Sequence, residues 1–292
     1  MTETGVLLLR RCSETEFERY ADFAYELASD LTKSGYPTYC DGIKTKDMFL
    51  ERARKAFACE EEQMLLFESG GRIQGFILMY WLPKDRYLST SLFLTNTETK
   101  EALSEFLAYA KDKFKGYDLF LGFPAENQLA INYLERQGFA CIEDDYNNTA
   151  YLENLAPAVD NKEVLKIGKE NYTRFRLLHS QFEENMYWNS ARIYEKLENW
   201  SIFLEEKDGE PCGAVYYTAA GDAWYEIFGV DMNRREYDPQ LLKKLLSAAL
   251  LDAKCKGGNV MTFFCDEVYE EAVKECGFHC VGNYRCYLMH LT

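Results

Sequence analysis

The chain has 292 residues, of which 47% are hydrophobic and 28% are charged. This length suits two folded domains, and this apolar content excludes a disordered chain. A formal net charge of −15 and an isoelectric point near 4.8 exclude nucleic acid and anionic membrane surfaces as partners, because both require clustered Lys and Arg. The acidic balance favours a cationic amine as ligand, although solubility is the simpler explanation.

The N-terminal segment MTETGVLLLRRC contains only a short apolar run, so we expect neither a signal peptide nor a membrane-spanning helix there. The ten cysteines are scattered without a CxxC pair, which is typical of reduced, mostly buried thiols in a cytoplasmic protein. Four of them lie with His279 and His290 in the last 28 residues. Their spacing does not match a zinc site, so no metal is expected.

The first half shows a clear succession of hydrophobic patterns. In chain order it predicts a strand at VLLLRR, helices over residues 15–31 and 45–57, a hairpin QMLLFE/IQGFILMYW, a strand YLSTSLFL, a helix, a strand DLFLGF, a helix over 126–136 and a closing strand. The helix after YLSTSLFL carries one apolar stripe, formed by Leu103, Phe106, Leu107, Ala110 and Phe114.

The second half predicts the same succession. It gives a strand VLKIG, two helices within residues 170–198, a hairpin WSIFLEE/PCGAVYYT, a strand AWYEIFGV, a helix over 239–256, a strand NVMTFF, a helix over 266–276 and a strand HCVGNYRCYLMHL. The polar, proline-containing stretch ENLAPAVDNK is the expected linker.

Glycine landmarks indicate that the two halves are copies of one unit. A helix runs into Gly-Phe and a strand in YLERQGFACIEDD and again in AVKECGFHCVGNY, where Gly138 and Gly277 are 139 residues apart. Gly75 and Gly213, each in an apolar strand after a charged turn, are 138 residues apart. The common offset predicts a duplication, with domains over residues 1–157 and 158–292.

The segment NQLAINYLERQGFACIED resembles the final motif of the GNAT (N-acetyltransferase) superfamily through Asn127, Ala130, Gly138 and Phe139. In the second half only the Gly-Phe pair, Gly277 and Phe278, clearly matches this motif. The resemblance implies an α/β (α+β) fold of two tandem GNAT-like domains, each a mixed, mostly antiparallel sheet flanked by helices. It also implies acetyl-CoA, or another acyl-CoA, as co-substrate, with Asn127 in the cofactor site.

The family places an Arg/Gln-x-x-Gly-x-Gly/Ala turn before its long helix, where backbone N–H groups hold the diphosphate. Both LFLTNTETKEALSEF and IFGVDMNRREYDPQLL lack glycine in this turn. In the second half, Arg234 and Arg235 are the candidate replacements, because guanidinium groups bind phosphate directly. In the first half, Glu98 and Glu101 would repel phosphate.

The family's reaction needs a base for the amine and an acid for the thiolate. The usual acid tyrosine, four residues before Gly-Phe, is replaced by Leu134 and Val273. Glu226 is the candidate catalytic base, and its alternative is a strand-edge carboxylate in water or in a salt bridge. Strand alternation predicts one face for Trp224, Glu226, Phe228 and Val230. The resemblance implies that the backbone of Phe228, Gly229 and Val230 binds pantetheine.

The loops after the first helix of each half are aromatic, and the resemblance places them over the acceptor substrate. Tyr36 and Tyr39 in the first half, and Tyr187 and Trp188 in the second, are the candidate amine-binding residues. Packing of these loops onto their own domain is the alternative. The histidines His179, His279 and His290 are expected to be ordinary half-buried residues.

The favoured function is an acyl-CoA-dependent N-acetyltransferase acting on a small amine, with the second half active and the first mainly structural. One alternative is a binding module that has lost acyl transfer in both halves, as the missing glycines and tyrosines would allow. Another makes the first half the working copy, because its Asn127 motif is better preserved. The expected partner is the amine substrate, and a homodimer is compatible with the sequence.

Overall fold

The computed structural model describes residues 7–155, 164–184, 186–221, 223–232 and 237–292. The chain divides into two compact units. Unit 1 comprises Met1–Asp144 with Gly282–Thr292, and unit 2 comprises Asp145–Val281.

The first half of the chain alternates strands and helices in the predicted order. Its elements are β1 (Leu7–Arg11), α1 (Glu14–Arg19), α2 (Ala21–Ala28), α3 (Lys46–Phe57), β2 (Glu62–Ser69), β3 (Arg72–Leu82), β4 (Tyr87–Thr95), α4 (Thr99–Lys113), β5 (Asp118–Pro124), α5 (Gln128–Arg136) and β6 (Ala140–Tyr151). The strands of unit 1 lie in the order β1-β2-β3-β4-β5-β12. Among the described strand pairs of unit 1, only β4 with β5 is parallel, so the sheet is mixed and mostly antiparallel.

The second half repeats this order. Its elements are β7 (Leu165–Lys166), α6 (Tyr172–His179), α7 (Ser190–Glu195), β8 (Trp200–Lys207), β9 (Glu210–Gly221), β10 (Trp224–Met232), α8 (Pro239–Cys255), β11 (Val260–Cys265), α9 (Glu270–Glu275) and β12 (His279–His290). The strands of unit 2 lie in the order β6-β11-β10-β9-β8-β7, and β10 pairs with β11 in parallel.

The closing strands of the two halves are exchanged between the units. Strand β12, from the end of the chain, pairs with β5 of unit 1 through Tyr284–His290. Strand β6, from the end of the first half, pairs with β11 of unit 2 through Tyr146–Tyr151. The unit boundaries therefore fall inside β6 and β12, and they differ from the predicted domain boundary between residues 157 and 158, which lies outside the described residues.

Apolar side chains of the helices cover both faces of each sheet. In unit 1 the predicted stripe of α4 is buried against β3, β4 and β5, and α1–α3 cover the opposite face. In unit 2 the α8 side forms one core and the α6–α7 side forms the other. Within the described residues, no helix combines the length and apolarity needed to cross a membrane.

Several predicted details are wrong. The single helix over residues 15–31 is broken at Tyr20, whose φ of −120° and ψ of 13° leave the helical region, and its second part ends at Ala28. The helix over 266–276 is reduced to a 3-10 turn and the short α9. The cysteines are not mostly buried, because five of the ten are exposed, on loops, helix ends and the outer parts of β6 and β12.

The glycine landmarks occupy equivalent places in the two sheets. Gly75 on β3 lies between Phe67 of β2 and Thr95 of β4. Gly213 on β9 lies between Glu205 of β8 and Met232 of β10. Both therefore sit in the central strand of the same three-stranded arrangement, as the duplication predicts.

The two glycines differ in the room around them, which gives a matched pair of substitutions. A Cβ on Gly75 would lie 2.0 Å from the carbonyl oxygen of Leu94, which is backbone and cannot move aside. A Cβ on Gly213 would meet only the side-chain ends of Leu241 and Leu245, at 3.0 and 3.1 Å. We expect Gly75→Ala to lower the free energy of urea unfolding by about 3 kcal/mol and Gly213→Ala by about 1 kcal/mol. Equal losses would contradict the close approach of β3 and β4.

Candidate functional site

In each unit the two parallel strands pair only over a short stretch and then separate. In unit 1 pairing runs through three residue pairs and ends at Ser89 and Phe120. In unit 2 it runs through four and ends at Ile227 and Phe263. A β-bulge lies next to each ending, at Ser91 in β4 and at Phe228 in β10. Because a bulge bends its strand and increases its twist, each sheet has an opening at this point.

In unit 1 the chain fills its own opening. Residues 33–36, which follow α2, lie between the separated strands. The amide of Gly35 donates to the carbonyl of Phe93 on β4 at 2.7 Å, and the amide of Tyr36 donates to the carbonyl of Gly122 on β5 at 2.9 Å. Ser34 forms an antiparallel bridge with Leu94. The backbone groups that the separation would expose are thus satisfied internally.

Asn127 secures this filling segment. Its side chain is 1% exposed, its Nδ2 donates to the carbonyl of Ser34 at 3.1 Å, and its Oδ1 caps α5 by accepting from the amide of Ala130. Gly35 is required at the centre of the segment, because a Cβ there would lie 3.0 Å from the Cβ of Phe93 and 3.1 Å from the oxygen of Gly122. Asn127, which the sequence analysis places in the cofactor site, therefore joins α5 to the filling segment in unit 1.

The opening of unit 2 has a different lining. Beyond Ile227, the backbone from Phe228 to Met232 pairs with β9 on one edge, and none of the described strands pairs with its other edge. Among the described residues, no loop backbone hydrogen-bonds to this stretch. Gly229 gives room to Tyr216, since a Cβ would lie 2.2 Å from its hydroxyl oxygen.

A buried His–Asp pair fixes the open stretch of β10 to α6. His179 is 0% exposed and Asp231 is 3% exposed, and the Nδ1 of His179 lies 2.8 Å from Oδ2 of Asp231. The Nε2 of His179 lies 3.1 Å from the carbonyl of Trp188, with Glu183 at 3.9 Å. Burial lowers the pKa of His179, but the hydrogen bond and charge of Asp231 and the carbonyl of Trp188 raise it more, because both ring nitrogens face acceptors.

The N-terminus of α8, the helix that follows β10, is already capped by a carboxylate. Asp238 is the N-cap of α8, and its Oδ1 accepts from the amides of Gln240 at 2.9 Å and Leu241 at 3.2 Å. Pro239 follows it and has no N–H to offer. The predicted phosphate-binding residues Arg234 and Arg235 lie outside the described residues.

Solved structures of the same fold cover nearly the whole chain. A GCN5-related N-acetyltransferase from Sphaerobacter thermophilus matches with a TM-score of 0.63 at 12% identity, over 97% of this chain and 95% of that one. A tandem GNAT protein from the clavulanic acid biosynthesis pathway, solved without AcCoA, matches with a TM-score of 0.55 at 12% identity, over 97% and 98%. A GCN5-related glucosamine N-acetyltransferase region of a fungal GH3 β-N-acetylglucosaminidase matches with a TM-score of 0.63 at 9% identity, over 99% of this chain and 38% of that one. No family model matches the sequence, and no curated protein matches it either.

The chain has a tandem GNAT fold. The order and pairing of its elements are shared with these structures. At these identities the likeness concerns the fold alone.

The predicted GNAT catalytic base, Glu226, lies in the paired part of β10, between Thr218 of β9 and Thr262 of β11. It is half-buried and precedes the bulge by two residues. Its neighbours Tyr225 and Ile227 pack on the α8 side, so Glu226 faces the opposite side of the sheet. The equivalent position of unit 1 is Ser89.

One predicted alternation is wrong. Phe228 packs against Trp188 and Trp200 on the α6–α7 side, with ring centroids 6.4 and 5.6 Å away. Val230 instead packs on the α8 side. The bulge at Phe228 adds one residue to β10, so the alternation reverses between these two positions.

The four predicted amine-binding aromatics are engaged by their own units. Tyr36 is 9% exposed and Tyr39 is 6% exposed in unit 1, and burial raises the pKa of Tyr39 to about 12. In unit 2 the guanidinium of Arg192 lies 4.2 Å from the ring centre of Tyr187, and the amine of Lys196 lies 5.6 Å from that of Trp188. These contacts correspond to the packing alternative. Tyr187 and Trp188 remain half-buried beside the bulge.

Sequence reasoning missed the His179–Asp231 pair, and the expectation that His179 is an ordinary half-buried residue is wrong. The other two histidines, His279 and His290, are exposed. The available signal was Asp231 itself, since a carboxylate within an apolar strand needs a buried partner. Nothing in the spacing of 52 residues identifies that partner as His179.

The His–Asp pair makes a pH-dependent contribution to stability. Because the pKa of His179 is raised by folding, its contribution is complete below the unfolded value near 6.5 and is lost as the pH rises through the folded pKa. We expect His179→Gln to lower the free energy of urea unfolding by about 3 kcal/mol below pH 6.5, because the variant lacks the imidazolium that bonds Asp231 and the carbonyl of Trp188. The loss should shrink as the pH rises.

The matched control is His290→Gln. His290 also pairs with an aspartate, Asp118, at 2.9 Å, but their side chains are 62% and 50% exposed. Exposed pairs contribute little, so this variant should unfold like the wild type at every pH. A pH-independent loss in His179→Gln would contradict the charged state of the buried pair.

Proposed function

We propose that the protein is an acyl-CoA-dependent N-acetyltransferase of small amines and that unit 2 is its active copy. One observation supports the choice of unit: the opening beyond the bulge is filled by residues 33–36 in unit 1, whereas in unit 2 the edge from Phe228 to Met232 has no described chain bonded to it. A thioester ligand with an amide-containing arm requires such a free strand edge.

The chemistry follows from the position of Glu226. In this proposal the bound acyl-CoA supplies the activated acyl group, and the amine nitrogen forms a bond to its carbonyl carbon as the C–S bond breaks. The amine must first be neutral, and Glu226, on the side of the sheet away from α8, accepts its proton through water. After the C–S bond breaks, the nitrogen loses a second proton, which protonates the thiolate of CoA. The backbone of Phe228, Gly229 and Val230 orients the pantetheine arm.

The residues fit the two parts of the co-substrate unequally. The free edge of β10 offers backbone donors and acceptors for the pantetheine arm. The N-terminus of α8 fits a diphosphate poorly, because Asp238 already bonds two of its amides and adds a negative charge. Arg234 and Arg235 would have to supply the compensating charge, which makes them the proposed phosphate ligands.

The same helix terminus also favours a second candidate function, a GNAT-like binding module that no longer transfers acyl groups. In unit 2 the place of the family's acid tyrosine is taken by Val273, which is 0% exposed and apolar. A module of this kind would keep the open edge of β10 for another ligand. Binding of CoA therefore distinguishes the two candidates.

Isothermal titration of CoA into the full chain and into Asp238→Ser tests the proposal. Serine keeps the helix cap and removes the carboxylate, so the affinity for CoA should rise about two- to five-fold. The double variant Arg234→Ala/Arg235→Ala should weaken binding, and acetyl-CoA should be consumed in the presence of small primary amines. Absence of CoA binding by both the wild type and Asp238→Ser would refute the acyltransferase and leave the binding module.

The control for the choice of unit is Asn127→Ala. Because Asn127 holds Ser34 and caps α5, its loss should lower the stability of unit 1 by about 1 kcal/mol or more. It should leave the CoA affinity unchanged. A loss of CoA binding in this variant would instead make unit 1 the working copy.

A further inference from the structure

Residues 186–189, which lie between α6 and α7 of unit 2, form a loop beside the bulge of β10. We call this segment the tryptophan loop. The indole of Trp188 packs on Phe228, the residue at the bulge, with ring centroids 6.4 Å apart and planes at 88°. Both rings also contact Trp200 of β8, at 5.3 and 5.6 Å. The position of the tryptophan loop therefore determines how much of the Phe228 side chain is exposed.

His179 joins the tryptophan loop to β10. Its Nε2 lies 3.1 Å from the carbonyl oxygen of Trp188, and its Nδ1 lies 2.8 Å from Oδ2 of Asp231. A carbonyl oxygen and a carboxylate oxygen only accept hydrogen bonds, so both bonds form only when each ring nitrogen carries a proton. A neutral imidazole has one N–H and can make only one of the two.

The titratable groups that face His179 come from three elements. Asp231 belongs to β10, and Glu183, which follows α6, has its Oε2 3.9 Å from Nε2 of His179. Tyr216 of β9 crosses the imidazole with ring centroids 5.2 Å apart, and burial raises its pKa well above the usual value. Burial works against ionisation of Glu183, but the hydrogen bond from the amide of Ser190 holds its pKa below the usual value. The His179–Asp231 pair is therefore the part of this cluster that titrates between about pH 5.5 and about pH 9.

A rise in pH removes one of the two hydrogen bonds of His179. Burial lowers its pKa, but the bond and charge of Asp231 raise it more, so the doubly protonated form is complete below pH 6.5 and is lost as the pH rises through the folded pKa. The remaining proton stays on Nδ1, because the charge of Asp231 attracts it. The lone pair of Nε2 then faces the carbonyl of Trp188 and the carboxylate of Glu183, so three acceptors meet without a donor.

We propose that His179 is a pH-dependent switch for the tryptophan loop: with both ring nitrogens protonated it holds the loop against Phe228, and release of the Nε2 proton to water frees the loop. Movement of the loop uncovers the Phe228 side chain at the bulge of β10. The inference goes beyond the proposed function and does not depend on it, because the switch operates in the protein without a ligand.

Fluorine nuclear magnetic resonance of the full chain labelled with fluorotryptophan, recorded from about pH 5.5 to about pH 9, tests the inference. The chain has four tryptophans, and Trp188→Phe identifies the resonance of Trp188. This resonance should shift as the pH rises, with a midpoint above pH 6.5, while the resonance of Trp81 in unit 1 stays constant. In His179→Gln the shift should disappear, because glutamine does not titrate.

A matched pair of variants leaves the buried His–Asp pair intact and keeps the test decisive if His179→Gln fails to fold. Glu183→Gln keeps an oxygen for the amide of Ser190 and removes the negative charge beside Nε2, so the midpoint should move to lower pH. Its control, Glu184→Gln, changes the next residue, which is exposed, and should leave the midpoint unchanged. The inference is overturned by a constant Trp188 resonance in the wild type, by an undiminished shift in His179→Gln, or by equal midpoints in the two glutamate variants.

Discussion

The early end of parallel pairing in each sheet is the constraint on which the rest of the structure depends. Once β4 leaves β5 at Ser89, and β10 leaves β11 at Ile227, backbone donors and acceptors lose their strand partner. Buried backbone groups without a partner are costly, so the opening must be filled by chain, by water or by a ligand. In unit 1 residues 33–36 fill the opening. In unit 2 none of the described loop residues forms a backbone hydrogen bond to the free edge of β10.

The two units anchor the same strand position by different means. Leu94 and Asp231 each precede the residue that pairs with a landmark glycine, Gly75 or Gly213. Leu94 is bridged through its backbone to Ser34, which draws the segment after α2 into the opening. Asp231 is bonded through its side chain to His179 on α6. The hydrogen bond between Asp231 and His179 holds α6 against the face of the sheet. It uses no backbone group at the edge of β10.

The sequence predicted what depends on local periodicity and missed what depends on distant pairing. The order of elements, the hairpins and the buried stripe of α4 follow from alternation and helical spacing, and the fold confirms them. The reversal at Val230 was missed because a bulge is set by the register with β9. The exchange of β6 and β12 and the contact of Ser34 with Leu94 were missed because each joins residues whose spacing carries no sequence signal.

In unit 1 one glycine serves both the filled opening and the strand that closes the sheet. The carbonyl of Gly122 accepts the amide of Tyr36 in the filling segment, and its lack of a side chain leaves room for the ring of Tyr284 on β12. Because Tyr36 also packs on the ring of Tyr284, the segment that fills the opening is held both to β5 and to the closing strand of unit 1.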